Sequence, residues 1–255
     1  MQIYVFDGSF EGLLSLIFDW YFRKPGTIQV VTEATFQPSA FSPVHWVNTD
    51  TEKANRVYKG LRKNLSAAGW RTFYCTYLSE LPEAYQHLFQ FATYVFTMGT
   101  RAEKNYGNED VLFVSQTTWK VEREKHHMEA FVRFQQTRDG IYYAPIEPRY
   151  NVLPLIVRHF ADRYADQAWI IYDHLRKYGL YYDLNKLETI TIDFYNGKSD
   201  QLPAAISSNN NEEVYQLLWK DYFRTANIPA RKNTKLHVRN LPKRFWRYLT
   251  EKQME

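Results

Sequence analysis

Residues able to hold an anion are crowded at one end of this 255-residue chain. From Arg224 to Glu255 there are nine Lys or Arg and two acids, so this stretch is +7 in a chain whose total is +4. The basic residues best placed to contact phosphates are Arg231, Lys232, Lys235, Arg239, Lys243, Arg244 and Arg247. A field of one sign attracts polyanions, nucleic acid first among them. Phe245, Trp246 and Tyr248 sit inside the run. Rings beside cations suit the bases and backbone of a nucleic acid. The competing reading makes Phe245, Trp246 and Leu249 the buried face of a short terminal helix and the charges its wet rim.

Acid–base or electrophilic chemistry has scattered candidates. Asp7 and Glu147 are carboxylates beside turns, where a loop can present them to a substrate. Arg133 and Arg163 could balance charge in a cleft. Asp173 could join Arg158, Arg163 and Arg176 in an ion-pair network. Each also has a structural reading, Asp7 as a helix cap above all. Glu122, Glu124, His126, His127 and Glu129 crowd one helix end, where Glu122 and His126 share a face at i,i+4. Two ligands are too few, so no metal is expected.

Missing motifs narrow the chemistry. The chain lacks GxxxxGK[ST], GxGxxG, HExxH and GxSxG, and no Asp or Glu is followed two residues later by Lys. One cysteine, Cys75, cannot build a disulfide framework or hold an iron–sulfur cluster. No cofactor is expected. The opening MQIYVFDGSFEG carries acids where a signal peptide needs a basic region, and no apolar run reaches the roughly 18 residues of a membrane span. The expectation is a cytoplasmic protein without membrane contact.

The elements that must position these residues can be read from periodicity. Ile3–Phe6 reads as a strand, followed by a helix with Phe10, Leu13, Leu14, Ile17 and Tyr21 on one face and Ser9 or Asp7 as cap. Thr27–Thr32 reads as a strand and 35–48 as irregular. Thr49-Asp50-Thr51-Glu52 reads as a capping box for a helix with Ala54, Val57, Tyr58, Leu61 and Leu65 inward and Lys53, Arg56, Lys59 and Lys63 outward. Further helices are expected near 82–97 and 109–127. Ala130–Phe134 and Ile141–Ala144 read as a hairpin closed on Asp139-Gly140, with Phe131 and Arg133 on one face. A helix with Leu153, Ile156, Val157, Phe160 and Tyr164 inward follows, then strands at 168–172, 180–182 and 189–194. Gly197–Asn211 reads as a linker and Glu212–Phe223 as a helix; Pro242 suits the first turn of the last one. Strands and helices mix without strict alternation. The expected class is α+β, a mixed, mainly antiparallel sheet flanked by several helices. Residues 1–255 are expected to form one domain, divisible into a mostly helical 1–128, a sheet-rich 129–200 and a basic helical 212–255.

Several stretches together resemble a bacterial family of DNA metabolism proteins carrying the domain of unknown function 4130. They are Tyr4–Gly12, Lys53–Leu61, Arg123-Glu124-Lys125-His126 with Phe131–Phe134, Ile146–Pro154, His159–Asp173, Asn227–Asn233 and Leu241–Trp246. The resemblance implies a DNA context and partnership with a radical-SAM protein in repair or modification. Related domains are fused to uracil-DNA-glycosylase-like domains, but no such half is evident here. It transfers no active site. Three functions therefore compete: a DNA-binding accessory protein, an enzyme acting on DNA through carboxylates and arginines, and a module whose basic segment docks on an acidic protein surface.

Overall fold

The computed structural model describes residues 1–38, 41–192, 238–249 and 252. It divides into two compact units, Met1–Glu122 and Arg123–Glu255. The expected linker at Gly197–Asn211, the helix Glu212–Phe223 and the cations Arg231, Lys232 and Lys235 lie outside the described residues.

The first unit is built on three parallel strands, β1 (Gln2–Phe6), β2 (Ile28–Thr32) and β3 (Val44–Trp46), ordered β2-β1-β3. β1 is central, and Tyr4, Val5 and Phe6 are fully buried, as a strand covered on both faces requires. α1 (Phe10–Arg23) makes the crossover to β2. Its Leu13, Leu14, Leu16 and Ile17 pack with Tyr4 and Phe6 in the main core. α2 (Thr51–Asn64), α3 (Ala67–Tyr77) and α4 (Pro82–Met98) complete the layer, and α5 (Glu109–Phe131) begins in this unit.

Two expectations here are corrected. The segment 35–48 is not wholly irregular: Val44–Trp46 forms β3, whose three residues are too few for a periodic signal. The cap of α2 is Asp50, whose carboxylate accepts the Glu52 and Lys53 N–H groups at 2.9 and 3.1 Å. The Thr49 hydroxyl is turned to Asp7 instead, at 2.8 Å. Trp70–Leu78 lies within α3 and its cap; Phe73 and Cys75 face inward, and Ser66 caps the helix by accepting from Gly69 at 3.0 Å.

The second unit carries the larger sheet, in the order β4-β5-β6-β7-β8: β4 (Gln135–Gln136), β5 (Tyr142–Ile146), β6 (Trp169–Asp173), β7 (Tyr178–Tyr182) and β8 (Leu187–Ile190). All neighbours are antiparallel except β5 and β6, which run parallel and are joined through α6 (Leu153–Arg163). The molecule is α+β, and this sheet is mixed and mainly antiparallel with helices beside it. The hairpin does close on Asp139-Gly140, with Gly140 at φ +80°.

Its first strand is shorter than expected, and the strand reading of Ala130–Phe134 is wrong. Ala130 and Phe131 finish α5, and Val132 N–H closes the helix onto Met128 O at 3.1 Å. Phe131 stacks on His127 one turn earlier, at 5.8 Å. A five-residue alternation is too short to separate a strand from a helix end. Phe131 and Arg133 consequently share no strand face. Arg133 Nη1 donates to Ala130 O and Val132 O at 3.0 and 3.2 Å, which caps the carbonyl end of α5.

Candidate functional site

In the second unit the carboxyl ends of β5 and β6 lie side by side, with Ile146 opposite Asp173. Open sheets with parallel strands tend to hold ligands at such ends. Glu147, Pro148, Arg149, Tyr150 and Asn151 follow β5 here, and the segment is fixed from three directions. Arg176 donates to Pro148 O and Arg149 O at 3.0 and 3.3 Å. Glu124 accepts the Arg149 N–H at 2.8 Å. Tyr178 OH donates to Asn151 Oδ1. The loop presents Glu147 and Arg149 to solvent while Pro148 and Tyr150 are buried.

Asp173 is wholly buried at the end of β6. It accepts Leu175 N–H, Arg176 N–H and Arg176 Nη1 at 2.9, 3.2 and 2.8 Å. Burial pushes its carboxyl up from the ordinary value, against the Arg176 hydrogen bonds. All its visible bonding is to its own turn, so its work is to orient Arg176 against the loop. Next to it, Tyr143 OH and His174 Nε2 meet at 3.1 Å. The network expected from Arg158, Arg163, Asp173 and Arg176 does not form as one. Asp173 holds Arg176, Arg158 sits 3.6 Å from Asp162 on the open face of α6, and Arg163 lies over the Tyr164 ring.

The C-terminal basic segment enters the same unit. Lys243–Tyr248 is a 3-10 turn begun by Pro242. Phe245 and Leu249 are its buried anchors; Phe245 meets Phe131 at 5.7 Å and His127 at 5.5 Å. Trp246 is only half-buried, donating Nε1–H to Leu241 O at 3.1 Å, with the Lys243 and Lys252 ammoniums 5.8 and 4.9 Å from its ring centre. Arg244 donates to Glu124, whose side chain is only 4% exposed. Arg247 Nη1 lies 3.7 Å from Glu147 Oε1, and both side chains are partly exposed. Arg239, Lys243 and Arg247 are exposed.

Four residues of the expected binding set are therefore visible, and they divide. Arg244 is an anchor. Arg239, Lys243 and Arg247 are presented outward, and Arg247 is brought to Glu147. From sequence alone Glu124 reads only as part of a polar helix end. Its spacing from Val121 and Met128, both buried, places it on the inward stripe of α5, and a carboxylate there demands a cation. That was the available signal.

In the first unit, Asp7 is committed to structure. Its Oδ1 accepts the Ser9 hydroxyl and N–H at 2.7 and 2.8 Å, and its Oδ2 accepts Thr49. Burial raises its pKa, but these hydrogen bonds outweigh it and hold the carboxyl below the ordinary range. Ser9 in turn accepts Gly12 N–H at 2.9 Å and caps α1. Asp19, buried on α1, takes Lys53 Nζ at 2.9 Å and His45 Nε2 at 3.3 Å, while Arg56 lies over Phe18. Part of the basic stripe of α2 is thus used inside the unit. Among the described residues no group of three or more His, Cys, Asp or Glu could hold a metal ion. No helix there is long and apolar enough to cross a membrane.

Among protein families, a model of a domain of unknown function, DUF4130, matches residues 82–251. No curated protein matches the chain. The family match covers two thirds of the sequence, so the chain belongs to the DUF4130 family.

Proposed function

We propose that this DUF4130-family chain is a nucleic-acid-binding accessory protein that engages DNA through its basic C-terminal segment and works beside a radical-SAM protein in repair or modification. The observation that carries the binding half is the build of the turn Lys243–Tyr248. Phe245, Leu249 and Arg244 fasten it, which leaves Lys243 and Arg247 outward beside Trp246 and Tyr248. A fixed turn holds its cations in place, so binding phosphates costs less ordering than it would on a flexible tail. Exposed Arg149 sits on the same loop as Glu147, against which Arg247 is set, and adds a third cation.

The DNA context and the radical-SAM partner come from the resemblance of Ile146–Pro154, His159–Asp173 and Leu241–Trp246 to their family counterparts. A reaction carried by this chain has less support, since Asp173 and Asp7 are spent on local hydrogen bonds and Glu147 is set against Arg247. An acidic protein surface could attract the same cations. The full chain should bind a short fluorescent oligonucleotide, and Lys243→Ala/Arg247→Ala should weaken it for all sequences alike. A folded double variant with unchanged affinity would contradict the assignment. Recovery of an iron–sulfur protein with the tagged chain from native lysate tests the partnership; its absence would leave DNA binding standing and remove the partner.

A further inference from the structure

Arginines 244 and 247 each face a carboxylate, but the two pairs differ in kind. Glu124 is 4% exposed and takes a second hydrogen bond from the Arg149 N–H, so its pair with Arg244 is a fixture. Glu147 and Arg247 are 39% and 52% exposed and stand 3.7 Å apart, beyond good hydrogen-bond length. Both ends of the second pair are nonetheless held. Arg176 locks the carbonyls after Glu147, and Phe245 and Leu249 bury the turn that carries Arg247. A held carboxylate beside a held guanidinium occupies the position a phosphate oxygen would take, because the two anions pair with guanidinium in the same way.

We propose that Glu147 is a built-in competitor of nucleic-acid phosphate for Arg247. This rests on the nucleic-acid reading above. A lone anion gains little by displacing Glu147, whereas a strand that also meets Lys243 and Arg149 gains several contacts for one exchange. The pair thereby sets a threshold that favours polyanions over single phosphates. Glu147 is a specificity-determining residue in this account.

An exposed ion pair of this kind changes an equilibrium constant by at most a few-fold. Titration of the full chain with a fluorescent oligonucleotide should therefore show about two- to five-fold tighter binding for Glu147→Gln. The gain should vanish in an Arg247→Gln background, which isolates the pair from the general effect of losing one negative charge. Glu188→Gln on β8, three strands from β5, serves as the general-charge control and should change little. Circular dichroism and melting confirm that each variant is folded. An equal gain in both backgrounds, or no gain at all, overturns the competitor role while leaving nucleic-acid binding intact. A wild-type chain that binds no oligonucleotide at low salt overturns both.

Discussion

Arg244 meets Glu124 where the carboxylate has almost no water around it. Removing the guanidinium leaves a buried charge with the Arg149 N–H as its remaining close hydrogen bond. A fully buried pair would cost more, but Arg244 is 40% exposed, so Arg244→Ala should cost on the order of 2 kcal/mol, read as a fall in the urea midpoint. Arg244 is thus a stability position first, and Lys243 and Arg247 are the cleaner probes of binding. His127 lies 3.9 Å from the same carboxylate. Burial holds its imidazole below the ordinary 6.5, against the pull of Glu124 and reinforced by Arg244. The unfolded chain takes up this proton first, so the contribution is present above about pH 6.5 and is lost as pH falls through the folded value. His127→Gln should flatten that fall in a series of urea midpoints against pH; an unchanged slope would deny His127 the role. Cys75 is wholly buried, its Sγ–H directed at Glu122 Oε1 at 3.5 Å. Cys75→Ser should leave oligonucleotide binding unchanged, and the native thiol should resist alkylation.

At the scale of elements, the first turn of α1 is tightly interlocked with its cap. A Cβ on Gly12 would stand 2.1 Å from Asp7 Oδ1 and 2.9 Å from Ser9 Oγ, so the cap and the glycine require each other. Gly12→Ala should destabilise the chain by about 1–3 kcal/mol through forced displacement of the cap, measured as a lower melting temperature. A neutral substitution would show that the Asp7–Ser9–Thr49 cluster is loose. Elements with long apolar faces are legible in the sequence: Leu13, Leu14 and Ile17 on α1, Leu153, Ile156 and Phe160 on α6. The hairpin was legible because Asp139-Gly140 has one strong local meaning. β3 was not, since its pairing with β1 is a long-range event that three residues do not encode. Phe131–Phe134 misled because α5 ends inside it, and the tertiary contact of Phe131 with Phe245 decides the matter. Of the candidate site, the exposed cations were visible from charge alone. Glu124 as their anchor, and Arg176 as the clamp on the 147–151 loop, depend on which side chains the fold buries.

Across the whole molecule, a +7 C-terminal stretch is set against a remainder of about −3. The described end of that stretch is fastened to the second unit and presents Lys243 and Arg247 to solvent. If those cations meet phosphates, binding must release condensed counterions and weaken as salt rises. The most direct measurement is the affinity of the full chain for one oligonucleotide across a salt series, beside Lys243→Ala/Arg247→Ala. The slope of log K against log salt should be steeply negative for the wild type. Its magnitude should fall by about 0.9 per lost contact on duplex, or about 0.7 on a single strand. A wild-type slope near zero, or a folded double variant with the same slope, would contradict the account.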